Sequence, residues 1–562
     1  MKKIIECVPN FSEGRDLDLI KRITDAIETV DGVKLLDVDP GAATNRTVVT
    51  FAGEPEPVIE AAVVAGKMAR ELIDMRKHEG EHPRFGCMDV CPLVPISGVS
   101  MEETVTYARQ LAQRLGEEAG LTIFCYENAA SKPERRNLAT VRAGEYEALA
   151  KRLQDPQWAP DFGPTEFQAK SGATAVSARD FLIAYNVNLN TTSSRRANAI
   201  AFDVREKGRI HREGCNLTGP VVRDENGKPQ WLPGTLKAVK GIGWFIEEYG
   251  VCQVSMNLTD VSITPIHIAF DEVANKASER GIRVTGSELV GLIPLQAMLE
   301  AGRYFLRKQQ RSTGLSDREL IKIAIKSMGL DELGPFVPEQ KIIEYVIAGG
   351  SDSGPLSAMS VRAFTEETAS ESPAPGGGSV AATVGALGAA LGTMVANLSS
   401  HKRGWDSRWQ EFSDWAEIGK ACHDELLRLI DADTDAFNAI MHAWRLPAKS
   451  DNEKTAKQAA VQAATLGAIE TPFRIMQVAL ESMEVAKVMV QEGLQASLSD
   501  AGVAALCART AVIGAHLNVQ INGADFDDKT LMQKFLTEGA AMQERAVQIE
   551  QEILSIVQAS FS

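Results

Sequence analysis

Strand-forming sequence stops partway along this chain. Up to about residue 330, short runs rich in β-branched and aromatic residues alternate with stretches whose apolar residues recur at three- and four-residue spacing. Beyond Ala348-Gly349-Gly350-Ser351-Asp352-Ser353-Gly354-Pro355, a flexible-linker composition, strand signals nearly vanish. At 562 residues the chain also exceeds what one hydrophobic core holds. The pattern predicts a multidomain protein. Two α/β (α+β) subdomains with mixed sheets occupy 1–180 and 181–330, a linker runs over 331–358, and an all-α helical bundle fills 359–562.

Within the first region the expected strands are Ile4–Val8, Val33–Val38, Thr47–Phe51, Leu121–Tyr126, Phe181–Leu189, Ala199–Val204 and Cys252–Leu258. Helical spacing covers Leu17–Thr29, Pro57–Met75, Met101–Glu118 and Ser316–Met328. The breaker-rich loop Trp158-Ala159-Pro160-Asp161-Phe162-Gly163-Pro164 separates the two subdomains, and polar Gly208–Thr235 reads as an exposed hairpin or loop. The bundle should contain helices over 379–400, 406–443, 451–492, 499–521 and 527–559.

Charge and cysteine usage narrow the function. With 59 basic against 75 acidic residues the net charge is −16, and no Lys/Arg-rich run offers nucleic acid a binding surface. The eight cysteines are scattered without redox or zinc spacing, which fits reduced thiols in the cytoplasm. From Pro375 to Ser400 no residue is charged, a length able to cross a bilayer. Its Ala and Gly content points instead to a tightly packed helix, with no second such segment to pair with it and no membrane partner.

Two titratable groups stand out. His82 lies in the Gly/Pro-bounded segment His78-Glu79-Gly80-Glu81-His82-Pro83-Arg84. Two histidines around a Glu formally match a zinc-protease helix, but Gly80 sits between the would-be ligands and Pro83 pushes His82 out of helical geometry, so no metal is expected. A His titrating near neutrality suits acid–base work; a surface His bonded to a loop carbonyl would look the same. Asn10, Glu13, Asp37, Asp39, Asn45 and Arg46 fall at strand ends and loops nearby, where such folds place ligands.

The second group is Asp433. Helical phase puts it on one stripe with Leu426, Ile430, Phe437 and Met441, while Asp431 and Asp435 point toward solvent. An inward carboxylate needs a partner or a raised pKa, as a general acid or base does; a structural carboxylate tying helices together fits as well. Ahead of it, Gly376-Gly377-Gly378-Ser379 opens a helix whose N-terminus can attract an anion or serve as a capped hinge. Asp500, Asn518 and Asn522 share a face of a later helix.

Glu6-Cys7-Val8-Pro9-Asn10-Phe11-Ser12-Glu13-Gly14, Leu36-Asp37-Val38-Asp39, Thr44-Asn45-Arg46-Thr47, Gly80-Glu81-His82-Pro83-Arg84 and the Trp158–Pro164 loop together resemble glutamate formimidoyltransferases. The runs Ala374-Pro375-Gly376-Gly377-Gly378-Ser379-Val380-Ala381-Ala382 and Ile430-Asp431-Ala432-Asp433-Thr434-Asp435-Ala436-Phe437 resemble formimidoyltetrahydrofolate cyclodeaminases. In this order, over nearly the whole chain, they resemble the bifunctional formimidoyltransferase-cyclodeaminases. The resemblance implies transfer of a formimidoyl group from N-formimidoyl-L-glutamate to tetrahydrofolate, then cyclisation with loss of ammonia, in a cytoplasmic homo-oligomer built from dimers. It implies His82 and Asp433 as catalytic residues, and Gly163, Pro164, Thr165, Glu166, Phe167, Gln168, Ala169, Lys170, Ser171 and Gly172 as a folate-binding stretch. Asp39 and Arg84 are the further substrate-binding candidates, Arg84 because a guanidinium matches a carboxylate bidentately. Tetrahydrofolate, polyglutamylated, is the expected co-substrate, with no metal. A transferase fused to a methenyltetrahydrofolate cyclohydrolase-like domain, or a non-catalytic folate-binding scaffold, are the competing readings.

Overall fold

Seven strands near the N-terminus join one mixed sheet: β1 (Ile4–Cys7), β2 (Asn10–Phe11), β3 (Val33–Gly41), β4 (Arg46–Gly53), β5 (Met88–Ser97), β6 (Thr122–Glu127) and β7 (Ala173–Ala178). The order is β1-β4-β2-β5-β7-β6 with β3 added on β4; β5–β7 and β6–β7 are parallel and the remaining pairs antiparallel. β1 and β2 both pair with β4 and β5, so they form one strand interrupted at Pro9, which has no N–H to give to a ladder. This computed structural model describes residues 3–41, 45–80, 84–215, 219–247, 249–347, 349 and 355–561.

One face of this sheet is covered by the helices Leu17–Glu28, Pro55–Leu72 and Met101–Glu117, whose apolar sides enclose Ile5, Phe51, Met88 and Ile123. The other face is divided. Over β5, β7 and β6 it carries Val90, Phe124 and Tyr126 packed with Phe85, Val141 and Leu149. Over β3, β4 and β2 it is polar. Register places Asp39, Val48, Asn10 and Val90 in one row across it, and Arg46 follows Val48 at two-residue spacing on the same side.

The strands β8 (Ile183–Leu189), β11 (Val239–Ile246), β12 (Val251–Leu258) and β13 (Val284–Val290) make an antiparallel sheet in the order β11-β12-β8-β13. Helices Ser194–Val204 and Ile266–Ser278 cover one face. Residues 199–204, expected as a strand, belong to the first of these helices. Their apparent alternation is the inner stripe of a helix, with Ala197, Ile200, Ala201 and Val204 buried at three- and four-residue spacing. Between the helix and β11, β9 (Arg209–Ile210) and β10 (Trp231–Leu232) pair in the small ladder that the Gly- and Pro-broken segment predicts.

The second compact unit comprises residues 298–327 and 351–562, while 328–350 group with the two sheets. Its core helices are Gly377–Ser400, Trp409–Trp444, Asp451–Glu492, Leu498–Asn522 and Lys529–Ala559. Glycines let the first approach its neighbours closely: a Cβ on Gly388 would press on the backbone of Ala504, and one on Gly385 on Ala511. The segment 312–314 threads into the same unit, with Ser312 donating to Asn397 Oδ1 (2.6 Å) and the Thr313 amide to Ser413 Oγ (3.1 Å). The expectation of a single membrane-length apolar helix needs correction. Gln495–Asn522 also reaches that apolarity despite Asp500 and Arg509, and both helices are half or more buried within the unit.

Candidate active sites

In the N-terminal unit, polar residues converge on the open part of the first sheet. A bulge in β5 leaves Asp89 opposite no residue of β2, since Asn10 pairs with Val90 and Phe11 with Met88, and the extra residue turns its carboxylate onto the polar face. Arg142 donates to Asp89 Oδ2 (2.8 Å), and Arg46 Nη1 lies 3.9 Å from the same oxygen. Arg46 also donates from Nε and Nη2 to Asn10 Oδ1, the first at 2.8 Å. Burial lowers the Arg46 pKa and Asp89 opposes that shift. Glu6 sits further along this face, almost wholly buried; burial pushes its carboxyl up to about 7, against the opposing charge of Arg179. Two arginines on one carboxylate suit an anionic substrate group, and a carboxyl titrating near neutrality suits proton movement.

A second cluster comes from residues on either side of His82 in sequence. His82 itself, with Glu81 and Pro83, lies outside the described residues. His78 is buried and donates from Nε2 to the Asn45 carbonyl (2.7 Å). Asn45 accepts from the Gly14 amide (3.0 Å) and donates to the Glu79 carbonyl (2.9 Å), holding three loops together. On the other side Arg84 donates to the carbonyls of His78 and Met75 and to Glu147, and its guanidinium lies over the Tyr146 ring.

Tyr146 joins Arg84 to the 163–172 stretch. Its hydroxyl donates to the Ala169 carbonyl (2.5 Å) and its ring packs on Phe167, with centroids 5.5 Å apart. Gly163 adopts φ +81°, and a side chain there would collide with the Leu121 carbonyl. At the far end Gly172 bridges Gly86, while Thr165 and Glu166 stay exposed. Asp39 is exposed on β3, in the row of Asn10, and makes no side-chain hydrogen bond among the described residues. Sequence reading missed Tyr146, Arg142 and Asp89, since nothing local marks a residue that acts by reaching another loop.

In the helical unit Asp433 meets the start of the Gly377–Ser400 helix. Ser379 donates to Asp433 Oδ2 from its amide (2.8 Å) and lies 3.1 Å from it through Oγ; that hydroxyl also reaches the Ile430 carbonyl (2.9 Å). A Cβ on Gly378 would collide with Oδ1, so glycine leaves that oxygen open, and the Asn518 amide crosses over Gly377. Burial raises the Asp433 pKa, and the two bonds from Ser379 oppose it. The site thus pairs a carboxyl reluctant to ionise with one oxygen held and one available, the disposition of a general acid or base.

Three expectations here change. Leu426 and Ile430 are buried, but Phe437 is 36% exposed. Asp431 is not simply solvated: it accepts from the amides of Leu356 (2.8 Å) and Ser357 (3.2 Å). Asn518 comes to the site, whereas Asn522 donates to the Ala468 carbonyl (2.8 Å). Asp500 lies at the other end of the same helix.

Comparison with known proteins gives three family matches along the chain: the formiminotransferase domain, N-terminal subdomain, over 4–179; the formiminotransferase domain over 184–348; and formiminotransferase-cyclodeaminase over 360–541. The chain is 42% identical over 548 residues to the formimidoyltransferase-cyclodeaminase of Gallus gallus, covering 98% of this chain and 97% of that protein. Glutamate formimidoyltransferase of Thermoplasma acidophilum matches at 40% over 324 residues, 57% of this chain and 98% of that one. Methenyltetrahydrofolate cyclohydrolase of Methylorubrum extorquens matches at 35% over 178 residues, 32% of this chain and 86% of that one.

Proposed function

The chain belongs to the formimidoyltransferase-cyclodeaminase family, and we propose that His82 and Asp433 carry the two reactions of this bifunctional enzyme. In the first, a tetrahydrofolate ring nitrogen attacks the amidine carbon of N-formimidoyl-L-glutamate and the glutamate amine leaves with a proton. His82 moves those protons. Asp39 orients the amidine, and Arg84 takes a substrate carboxylate in place of Glu147, an exposed partner that a ligand can displace. Residues 163–172 hold folate, their conformation fixed through Gly163 and Tyr146. In the second reaction the neighbouring folate amine closes on the formimidoyl carbon, ammonia departs, and methenyltetrahydrofolate remains. Asp433 transfers the protons through Oδ1.

The observation that carries this reading is Asp433, half-buried and gripped by Ser379 through one oxygen only. Mixing the protein with formimidoylglutamate and tetrahydrofolate should give the absorbance of methenyltetrahydrofolate. His82→Ala should stop the first half-reaction alone and Asp433→Asn the second alone. Unchanged rates in either variant would remove that residue from its role.

The Methylorubrum relative favours a second reading, in which the helical unit hydrolyses methenyltetrahydrofolate. Ammonia release from supplied 5-formimidoyltetrahydrofolate separates the two. The seven described free cysteines, including Cys7 and Cys91, whose sulfurs share a hydrogen bond (3.5 Å) and no disulfide, support a cytoplasmic location. A polyglutamylated folate, tethered by its anionic tail, fits a chain carrying both activities, with small molecules rather than nucleic acid or membrane as partners. Exposed Leu387, Met394 and Leu398 on one bundle helix, beside Val503, Leu506, Leu517 and Ile521 on the adjoining one, support a homo-oligomer built from dimers.

A further inference from the structure

The Leu498–Asn522 helix runs antiparallel to Gly377–Ser400 along a seam of small residues. A Cβ on Gly388 would meet Ala504, one on Gly385 Ala511, one on Gly514 Ala381, and one on Gly377 Asn518. Glycine and alanine serve the first three steps, where the two backbones approach closely. At the fourth stands a half-buried asparagine, whose amide costs a desolvation that alanine avoids. Tying helices together does not account for it. Asn522, one turn further on, does tie helices, since it donates to the Ala468 carbonyl (2.8 Å). Asn518 Nδ2 instead donates to the Gly514 carbonyl of its own helix (2.9 Å). A carbonyl oxygen only accepts, so the nitrogen is the atom that faces Gly514, and Oδ1 is turned away from it. That oxygen accepts no hydrogen bond among the described residues.

Asn518 Nδ2 and Oδ1 lie 3.2 and 3.4 Å from where a Gly377 Cβ would stand, and Asp433 Oδ1 occupies the corresponding place at the next residue, Gly378. Ser379 donates to the other oxygen of Asp433, so consecutive glycines carry two oxygen acceptors, one on an acid and one on an amide. The group that reacts in the second step is recognisable by its donors. A protonated formimidoyl group ends in a planar NH2 whose two N–H bonds diverge, whereas a formyl group on the same ring nitrogen ends in an oxygen bearing lone pairs. Two acceptors at one turn take the first and repel the second.

We propose that Asn518 determines the specificity of the second site: its Oδ1 accepts an N–H of the formimidoyl nitrogen, so the site takes formimidoyl and turns away formyl folates. The inference rests on Asp433 marking that site. As the folate amine bonds to the formimidoyl carbon, the C=N bond becomes single, and Asp433 carries the amine's proton to the terminal nitrogen. That nitrogen leaves as ammonia with the electron pair of its C–N bond, while the lone pair of the other folate nitrogen completes the methenyl cation. Protonation for departure makes the nitrogen a stronger donor, so its bond to Asn518 Oδ1 tightens as the reaction proceeds.

Ammonia release from supplied 5-formimidoyltetrahydrofolate by the full-length protein tests this, with 5-formyltetrahydrofolate as competitive inhibitor. For wild type the inhibitor Ki should exceed the substrate KM by about tenfold or more. Asn518→Ala removes the acceptor at a seam that holds alanine elsewhere, and Asn518→Leu removes it while keeping the volume. Each should lower kcat/KM about tenfold and bring the Ki down to the KM or below it. A disturbed helix weakens both ligands together, so tighter binding of the formyl compound is a signature that misfolding does not give. Asp433→Asn reads the proton carrier separately: full activity in that variant, with discrimination still lost at 518, would remove the role of Asp433 and leave that of Asn518. A wild-type Ki within about twofold of the KM, or a wild-type ratio that survives in either variant at 518, would overturn the proposal.

Discussion

The two oxygens of Asp433 have different surroundings, and that difference sets how the residue titrates. Ser379 holds Oδ2 with an amide and a hydroxyl, while Oδ1 faces the space left by Gly378. Both bonds favour the carboxylate against a desolvation that favours the acid. Removing the hydroxyl in Ser379→Ala should therefore move the inflection of the cyclodeaminase pH–rate profile to higher pH, with the transferase profile unaffected. A profile shifted down, or not at all, would mean Oγ spends its proton on the Ile430 carbonyl. Glu6 gives a stability counterpart. Folded Glu6 keeps its proton up to about 7, whereas the unfolded chain releases it near 4.5. Folding takes up a proton between those values, so this contribution is complete below about pH 4.5 and lost as pH rises through 7, at most roughly 3 kcal/mol. Glu6→Gln should flatten the pH dependence of thermal unfolding in that window and raise Tm at pH 8. Asp433 was legible because helical phase alone puts it beside Ile430; Ser379 was not, being 54 residues away with only its capping chemistry visible.

Among elements, the start of the Gly377–Ser400 helix does the most with the least side chain. Its glycines bring backbone against Asp433 and Asn518, and a methyl at 378 would occupy the space of the Oδ1 oxygen. Gly378→Ala should lower ammonia release at least tenfold while formimidoyl transfer persists; retention of full cyclodeaminase activity would show that Oδ1 is not the working oxygen. The run of glycines was visible in the sequence, but as easily a hinge as a cradle, because what a glycine admits depends on its neighbour in space. The same holds for β5. This strand is absent from those expected from sequence, and the bulge that turns Asp89 toward Arg46 and Arg142 appears only once β2 is paired to it. Residues 199–204 failed for the opposite reason, since six residues are too few to separate a period of two from an inner helical stripe.

For the molecule as a whole, the purely helical sequence beyond residue 350 forms the second compact unit together with residues 298–327, which the sequence pattern assigns to the second α/β subdomain, and the polar faces that make the sites emerge only from pairing within each unit. The bundle carries a further consequence. Two adjacent helices are apolar nearly all round, yet Leu387 and Leu517 remain 58% and 61% exposed. A lone exposed leucine is unremarkable; seven exposed apolar residues on two neighbouring helices are surface that water disfavours, and in a homo-oligomer the same helices of a second copy would be the self-complementary cover. Replacing Leu387 and Leu517 together by Glu leaves the interior of the unit untouched and puts like charges face to face. Sedimentation should then show the assembly reduced to smaller species, with the helical circular dichroism retained. An unchanged sedimentation coefficient would place the subunit contacts elsewhere. Since Asp433 lies within a single chain's helices, ammonia release per chain should survive dissociation, and its loss would mean that a neighbouring copy completes the second site.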